Sequence, residues 1–148
     1  MNAGRSYSTA AVMLHGAVAD RVGLSVTDLK ALDLLQRFGA LAAGEIATHT
    51  GLATASVTSL IDRLQKKRFV RRLRDRSDRR RIMVRLTSNV EKKIAPYFAS
   101  LNARMLSRFR TYTDEQIASI EEFLTSGARE MRDEAGKLSS LEVSRGSR

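Results

Sequence analysis

The chain of 148 residues contains no cysteine, which excludes disulfides, thiolate redox sensing and thiolate-ligated metals. It has two histidines, His15 and His49, far apart and matching no metal-ligand spacing, so neither a metal nor a cofactor is expected. No apolar run approaches the roughly 20 residues that span a bilayer, and residues 1–9 lack the apolar stretch of a signal peptide. A soluble, cytoplasmic protein with no membrane partner is the expectation. The most uneven shortage is of negative charge. Between Arg63 and Arg85 stand 12 of the 26 Lys and Arg residues, opposed only by Asp75 and Asp78. Outside that window cations and anions number 14 each, so the formal charge of +10 belongs to one segment. Clustered cations release the counterions condensed on phosphates, so the first partner to consider is nucleic acid.

The hydrophobic fraction of 43% suffices for the core of one domain. Ala11, Leu14, Val18 and Val22 recur at helical steps, which predicts a helix over about 6–22 ending at Gly23. Ser25 and Asp28 have capping-box spacing ahead of Leu29, Leu32, Leu35 and Phe38, giving a second helix that ends at Gly39. Residues 44–50 form a short helix around Ile46, and Gly51 makes a tight turn. From Thr54, the spacing of Val57, Leu60, Ile61 and Leu64 buries one helical face and exposes Ala55, Ser59, Asp62 and Lys66 on the other.

Phe69–Arg74 and Arg81–Leu86 mix β-formers with charge around a polar connection, which predicts a two-stranded hairpin with a basic tip. Thr87, or alternatively Ser88 with Glu91, then caps a long helix striped by Val90, Ile94, Phe98, Leu101, Met105 and Phe109, with Pro96 placed to kink it. Thr113 and Gln116 cap a final helix carrying Ile117, Ile120, Leu124, Ala128 and Met131 in near-heptad rhythm, a seam suited to a partner helix. Residues 138–148 show no period and are expected to be a flexible tail. No repeat or low-complexity block interrupts this order.

Helix, helix, turn, helix, hairpin is the order of a winged helix-turn-helix, whose second motif helix enters the major groove. The chain resembles the MarR family of transcriptional regulators over about residues 10–135. The resemblance rests on Gly44-Glu-Ile-Ala47, Thr50-Gly-Leu52, Val57-Thr58, Leu60-Ile-Asp-Arg-Leu64, Asp75-Arg-Ser-Asp-Arg-Arg80 and Leu86-Thr87. It implies a mainly α fold with a small β-hairpin: a DNA-binding lobe over 25–87 and dimerisation helices over 6–22 and 88–135. It also implies a homodimer and, by family analogy alone, a small-molecule effector of aromatic or phenolic kind. Two positions depart from the family pattern. Arg68 stands where a turn favours glycine, so it either adopts a left-handed backbone at roughly 1 kcal/mol or bends the turn differently. Val90 stands at the second.

Thr54, Ala55, Ser56, Thr58, Ser59, Asp62 and Arg63 are the recognition-helix positions able to reach DNA. Short side chains let the helix axis approach base edges, a methyl of Ala55 or Thr58 can meet a thymine methyl, and Arg63 can pair with guanine. Arg76, Arg79, Arg80 and Arg81 crowd the hairpin tip, where guanidinium groups suit phosphates and a narrow minor groove. A solvated loop is the ordinary reading of such a run, but crowded cations repel until an anion joins them. By resemblance, Asp78 orients the wing through a local ion pair and Arg80 enters the minor groove. Alternation puts Arg81 and Arg85 on one face, so one of them can be structural. Lys66, Lys67, Arg71, Arg72 and Arg74 suit phosphates, which position a protein without reading sequence.

Tyr7, Met13, His15, Phe98 and Met105 could line a ligand pocket, although such residues at helical spacing are more often core. Catalysis has little support. Glu45 and His49 lie one turn apart without a third ligand or base, and arginines around Asp75 and Asp78 oppose general-acid use. The leading expectation is a homodimeric repressor on a pseudo-palindromic operator, with double-stranded DNA as partner. Its rival is a non-specific, nucleoid-type architectural protein, which needs only charge.

Overall fold

The computed structural model describes residues 2–75 and 77–145, with side chains described to residue 138. Arg76, assigned above to the wing tip, and residues 146–148 of the tail lie outside the described residues. The elements in chain order are α1 (Asn2–Val22), α2 (Val26–Phe38), β1 (Leu41–Ala42), α3 (Ala43–Thr50) and α4 (Thr54–Lys66). Then follow β2 (Val70–Arg74), β3 (Ile82–Leu86), α5 (Asn89–Lys93), α6 (Ala95–Phe109) and α7 (Asp114–Arg145). They divide into two compact units, Met1–Phe98 and Ala99–Arg148.

The first unit is organised around α4. Its spacing turns Val57, Leu60, Ile61 and Leu64 inward, each at most 2% exposed, against Leu29, Ala31, Leu32 and Leu35 of α2 and Ile46 of α3. Burying such side chains stabilises by about 1.5–3 kcal/mol each. Phe69, Val70 and Val84 close the core from the sheet side, and Val18 and Ala19 of α1 join it. The Ser25–Asp28 capping box forms as the spacing requires. The Ser25 amide donates to Asp28 Oδ2 at 2.9 Å, and the Asp28 amide donates to Ser25 Oγ at 3.1 Å.

The sheet has three strands, not two, in the antiparallel order β1-β3-β2. Leu41 pairs with Val84 and Ala42 with Met83, so β3 is central. The long helix expected after Thr87 is also divided. Pro96 has no N–H for the preceding turn, so helix α5 stops at Lys93 and α6 restarts at Ala95. Thr87 supplies the cap, its Oγ1 accepting from the Asn89 amide at 3.3 Å while Ser88 makes no side-chain cap.

In the second unit the Thr113–Gln116 pair caps α7 reciprocally, at 3.0 and 3.3 Å. That helix continues to Arg145, so the stretch 138–145 expected as tail is helical. Among the described residues of this unit none is buried, and Leu106, Phe123, Leu124 and Met131 are between 52% and 75% exposed. No helix among the described residues is long and apolar enough to cross a membrane.

Candidate nucleic-acid interface

The turn between α3 and α4 sets the site. Gly51 takes the left-handed conformation at φ 70°, and its amide donates to the Ala47 carbonyl at 2.8 Å, ending α3. Thr50 Oγ1 donates to Ile46 O at 2.7 Å, securing the same corner. Helix α4 then begins with no side-chain cap and no acidic residue in its first turn, which leaves amide dipoles facing outward in favour of an anion. Thr54, Ala55, Ser56, Thr58 and Ser59 are all exposed on this face. The Thr58 hydroxyl donates to Thr54 O at 3.1 Å and the Ser59 hydroxyl to Ala55 O at 3.2 Å. Each oxygen keeps accepting capacity, which suits the amino groups of adenine and cytosine.

Four residues assigned to DNA contact, Arg63, Asp62, Arg72 and Arg81, are tied within the protein. Arg63, a residue able to pair with guanine, has its Nη2 and Nε on the two oxygens of Asp28 at 2.6 and 3.0 Å. Asp28 is fully buried, and an ionised carboxylate there requires a partner. Burial opposes its ionisation, yet the bonds from Arg63 and from Ser25 outweigh that and hold the carboxyl below its usual range. Arg72, assigned to phosphate, donates to Asp62 at 2.6 Å and to Gln65 at 2.6 Å, which ties β2 to α4 and occupies Asp62 as well. Arg81, assigned to the wing tip, pairs with Glu45 at 2.7 Å. It is the structural member of the Arg81–Arg85 pair. Glu45 also accepts from the Ala42 amide at 2.7 Å, and that bond first, then Arg81, lowers its pKa. Glu45 is therefore committed to holding α3 to the turn end of the hairpin, while His49 stacks on Phe38 at 4.7 Å.

The hairpin is organised by a residue to which no role was assigned. Asp75 Oδ1 accepts from the Ser77 hydroxyl at 2.6 Å, the Ser77 amide at 2.7 Å and the Asp78 amide at 3.4 Å. Those bonds lower its pKa, Ser77 contributing most. Asp78 acts the same way, accepting from the Arg80 amide at 2.9 Å. The ion pair expected at Asp78 does not form among the described residues, so this carboxylate shapes the turn through backbone. An Asp at the first position of a polar turn signals that role in sequence.

Arg79 and Arg80 stand exposed at the tip without a side-chain partner among the described residues, and so do Lys66, Arg71 and Arg74. Arg71 lies directly across from Arg85 in the β2–β3 register. Like charges at that spacing repel, so Arg85, not assigned above, joins Arg71 as an unneutralised pair on one sheet face. Lys67 is placed elsewhere. It lines a cleft with Arg21, Lys92 and Lys93 at the end of α4 opposite Thr54.

Of the two departures from the family pattern, Arg68 takes the strained option, with φ 62°. Its carbonyl accepts from Thr87 Oγ1 at 2.6 Å and Asn89 Nδ2 at 2.9 Å, and those bonds fix the turn. Val90 packs, half-buried, against the core.

With this geometry in place, comparison with known proteins gives its lineage. The MarR family profile matches residues 24–82. The Bacillus subtilis HTH-type transcriptional regulator YcgE is 38% identical over 134 residues, covering 90% of this chain and 87% of that protein. Among solved structures, a MarR family protein from Bacillus stearothermophilus superposes with a TM-score of 0.62 at 22% identity, covering 88% of this chain and 93% of that one. S. aureus MepR, in a variant bound to an oligodeoxyribonucleotide, gives 0.60 at 17% identity, covering 88% and 96%. The chain belongs to the MarR family and is a helix-turn-helix transcriptional regulator with a DNA-binding fold.

Proposed function

We propose that this regulator is a homodimeric repressor that reads a pseudo-palindromic operator. The observation that carries the proposal is the pairing of an uncharged, short-chained helix face, Thr54–Ser59, with a hairpin tip bearing Arg79 and Arg80, which have no side-chain partner among the described residues. In this reading Ala55, Ser56, Thr58 and Ser59 approach base edges in the major groove, and Arg80, with Arg79 beside it, enters the flanking minor groove. Lys66, Arg71, Arg74 and Arg85 supply phosphate contacts. Asp28–Arg63 and Asp62–Arg72 hold the recognition helix in register and contribute no base reading.

The dimer is supported by the exposed apolar residues of the second unit, which a second copy would cover. Two copies place recognition helices about one helical turn, roughly 34 Å, apart. Occupancy then blocks transcription in the cytoplasm, and a small aromatic or phenolic ligand that favours a different spacing would release it.

Titration against the chain's own upstream DNA and a scrambled duplex, at fixed salt, tests the proposal. Specific affinity should exceed non-specific affinity by a factor on the order of a thousand. Superimposable curves would replace this reading with that of an architectural protein.

A further inference from the structure

Behind the DNA-facing surface, within the first unit, lies a cleft of about 580 Å³ lined by Arg21, Val22, Lys67, Phe69, Lys92, Lys93, Pro96 and Tyr97. Its volume falls in the range of small-molecule sites, roughly 300–1,000 Å³. The charged side chains that line it are all cationic, and no carboxylate side chain lines it. Arg21, Lys67, Lys92 and Lys93 form no ion pair among the described residues. Apolar surface is present too, in Phe69, Val22, Pro96 and the half-exposed ring of Tyr97.

The convergence has a local cause that does not account for all of the charge. Arg21 ends α1, Lys67 caps α4, and Lys92 and Lys93 end α5. Each helix C-terminus carries about half a negative charge, less in a helix as short as α5. Against four side-chain cations this leaves an excess of roughly two to three positive charges. A monoanion would leave most of that excess unneutralised. A ligand with two or more charges would match it, and the Tyr97 and Phe69 side offers a planar or apolar body something to pack on. The Lys67 ammonium lies beside the turn after α1: a Cβ added to Gly23 would sit 3.2 Å from its Nζ.

We propose that this cleft binds a soluble phosphorylated small molecule carrying at least two negative charges, of the nucleoside di- or triphosphate kind. The phosphates would meet Lys92, Lys93, Lys67 and Arg21, and the base or other organic part would pack on Tyr97. The site lies at the C-terminal cap of the recognition helix, separate from the surface proposed to meet DNA.

Calorimetric titration of the full chain at physiological ionic strength, without divalent cations, tests this with ATP, inorganic pyrophosphate and benzoate as probes. ATP should bind once per chain, pyrophosphate more weakly, and benzoate at least about tenfold more weakly than ATP. The double variant Lys92→Gln, Lys93→Gln should weaken ATP by roughly tenfold or more. Arg79→Gln, Arg80→Gln at the wing should change it less than about twofold. Unchanged thermal melting of both variants without ligand verifies that the comparison is between folded proteins. No binding of ATP at millimolar concentration would overturn the proposal. So would benzoate binding as well as ATP, or loss of ATP binding in the wing variant to the same degree as in the cleft variant. DNA titrations are separate, so failure here leaves the operator reading untouched.

Discussion

The two units of this chain solve opposite problems. The first, Met1–Phe98, buries Ile46, Val57, Leu60, Ile61, Leu64 and Val84 to 2% exposure or less and is closed by its own sheet. The second, Ala99–Arg148, buries no described residue, although α7 carries Leu124 and Met131 at 52% and 71% exposure. Helices are stabilised mainly by packing an apolar face, so a long helix without a core depends on surface supplied from elsewhere. The first unit accordingly holds α4, the proposed reading helix, within its own fold. The second draws its stability, on the proposed reading, from another copy.

The largest effect that would break this contrast is expected at Asp28. Asp28→Ala removes the buried partner of Arg63 and half of the α2 cap, and should destabilise the first unit by roughly 3 kcal/mol. That is the low end for a broken buried pair, because the Arg63 side chain remains 45% exposed. Chemical denaturation measures it. The pH dependence follows from the lowered pKa of Asp28. A folded-state pKa below the unfolded value gives stability that is fully present above the ordinary Asp value near 4 and is lost as pH falls through the folded value. The stability difference between the wild type and Asp28→Asn should therefore be flat around neutrality and shrink below about pH 4. A difference that grows on acidification would contradict the assignment.

Next in size is Leu124→Glu, which puts a charge in the proposed seam of α7. Dimerisation should weaken by roughly a hundredfold, about 2.7 kcal/mol, while the melting of the first unit is kept. Sedimentation equilibrium reads the first quantity, and a wild-type mass equal to one chain at micromolar concentration would remove the contrast altogether. Arg80→Ala should weaken operator binding by about tenfold and reduce the salt slope by about one, with folding unaffected. Smallest is Arg68→Gly. Relief of the left-handed backbone, about 1 kcal/mol, is partly offset by the entropy that glycine adds to the unfolded chain, leaving a gain of roughly 0.5 kcal/mol.

Local signals carried most of the fold. The Ser25–Asp28 and Thr113–Gln116 boxes formed, and the α4 stripe buried the residues its period selects. Strand β1 was not legible because two residues carry no alternation; Leu41 is a strand residue only because Val84 lies opposite. The ends of α1 and α7 extend past their apolar stripes, where no periodic signal marks a boundary. In the site, type and position were readable but partnership was not. Arg63 and Asp28 are 35 residues apart, and only packing of α2 on α4 brings them together. The same holds for Glu45 with Arg81. Alternation in the sequence marked only Arg81 or Arg85 as structural, whereas folding paired Arg63, Arg72 and Arg81 and left Arg79 and Arg80 without a side-chain partner among the described residues. Asp75, read as one of two lone acids, became the centre of the hairpin turn through bonds to its next neighbours.

The central claim is that two copies read one operator through the uncharged start of α4. Selection of duplexes from a random pool by the purified full-length protein tests it most directly. An enriched motif of two inverted half-sites, their centres about 10 base pairs apart, is the predicted result. A bound pool with no enriched sequence, or a single unpaired half-site, would contradict it.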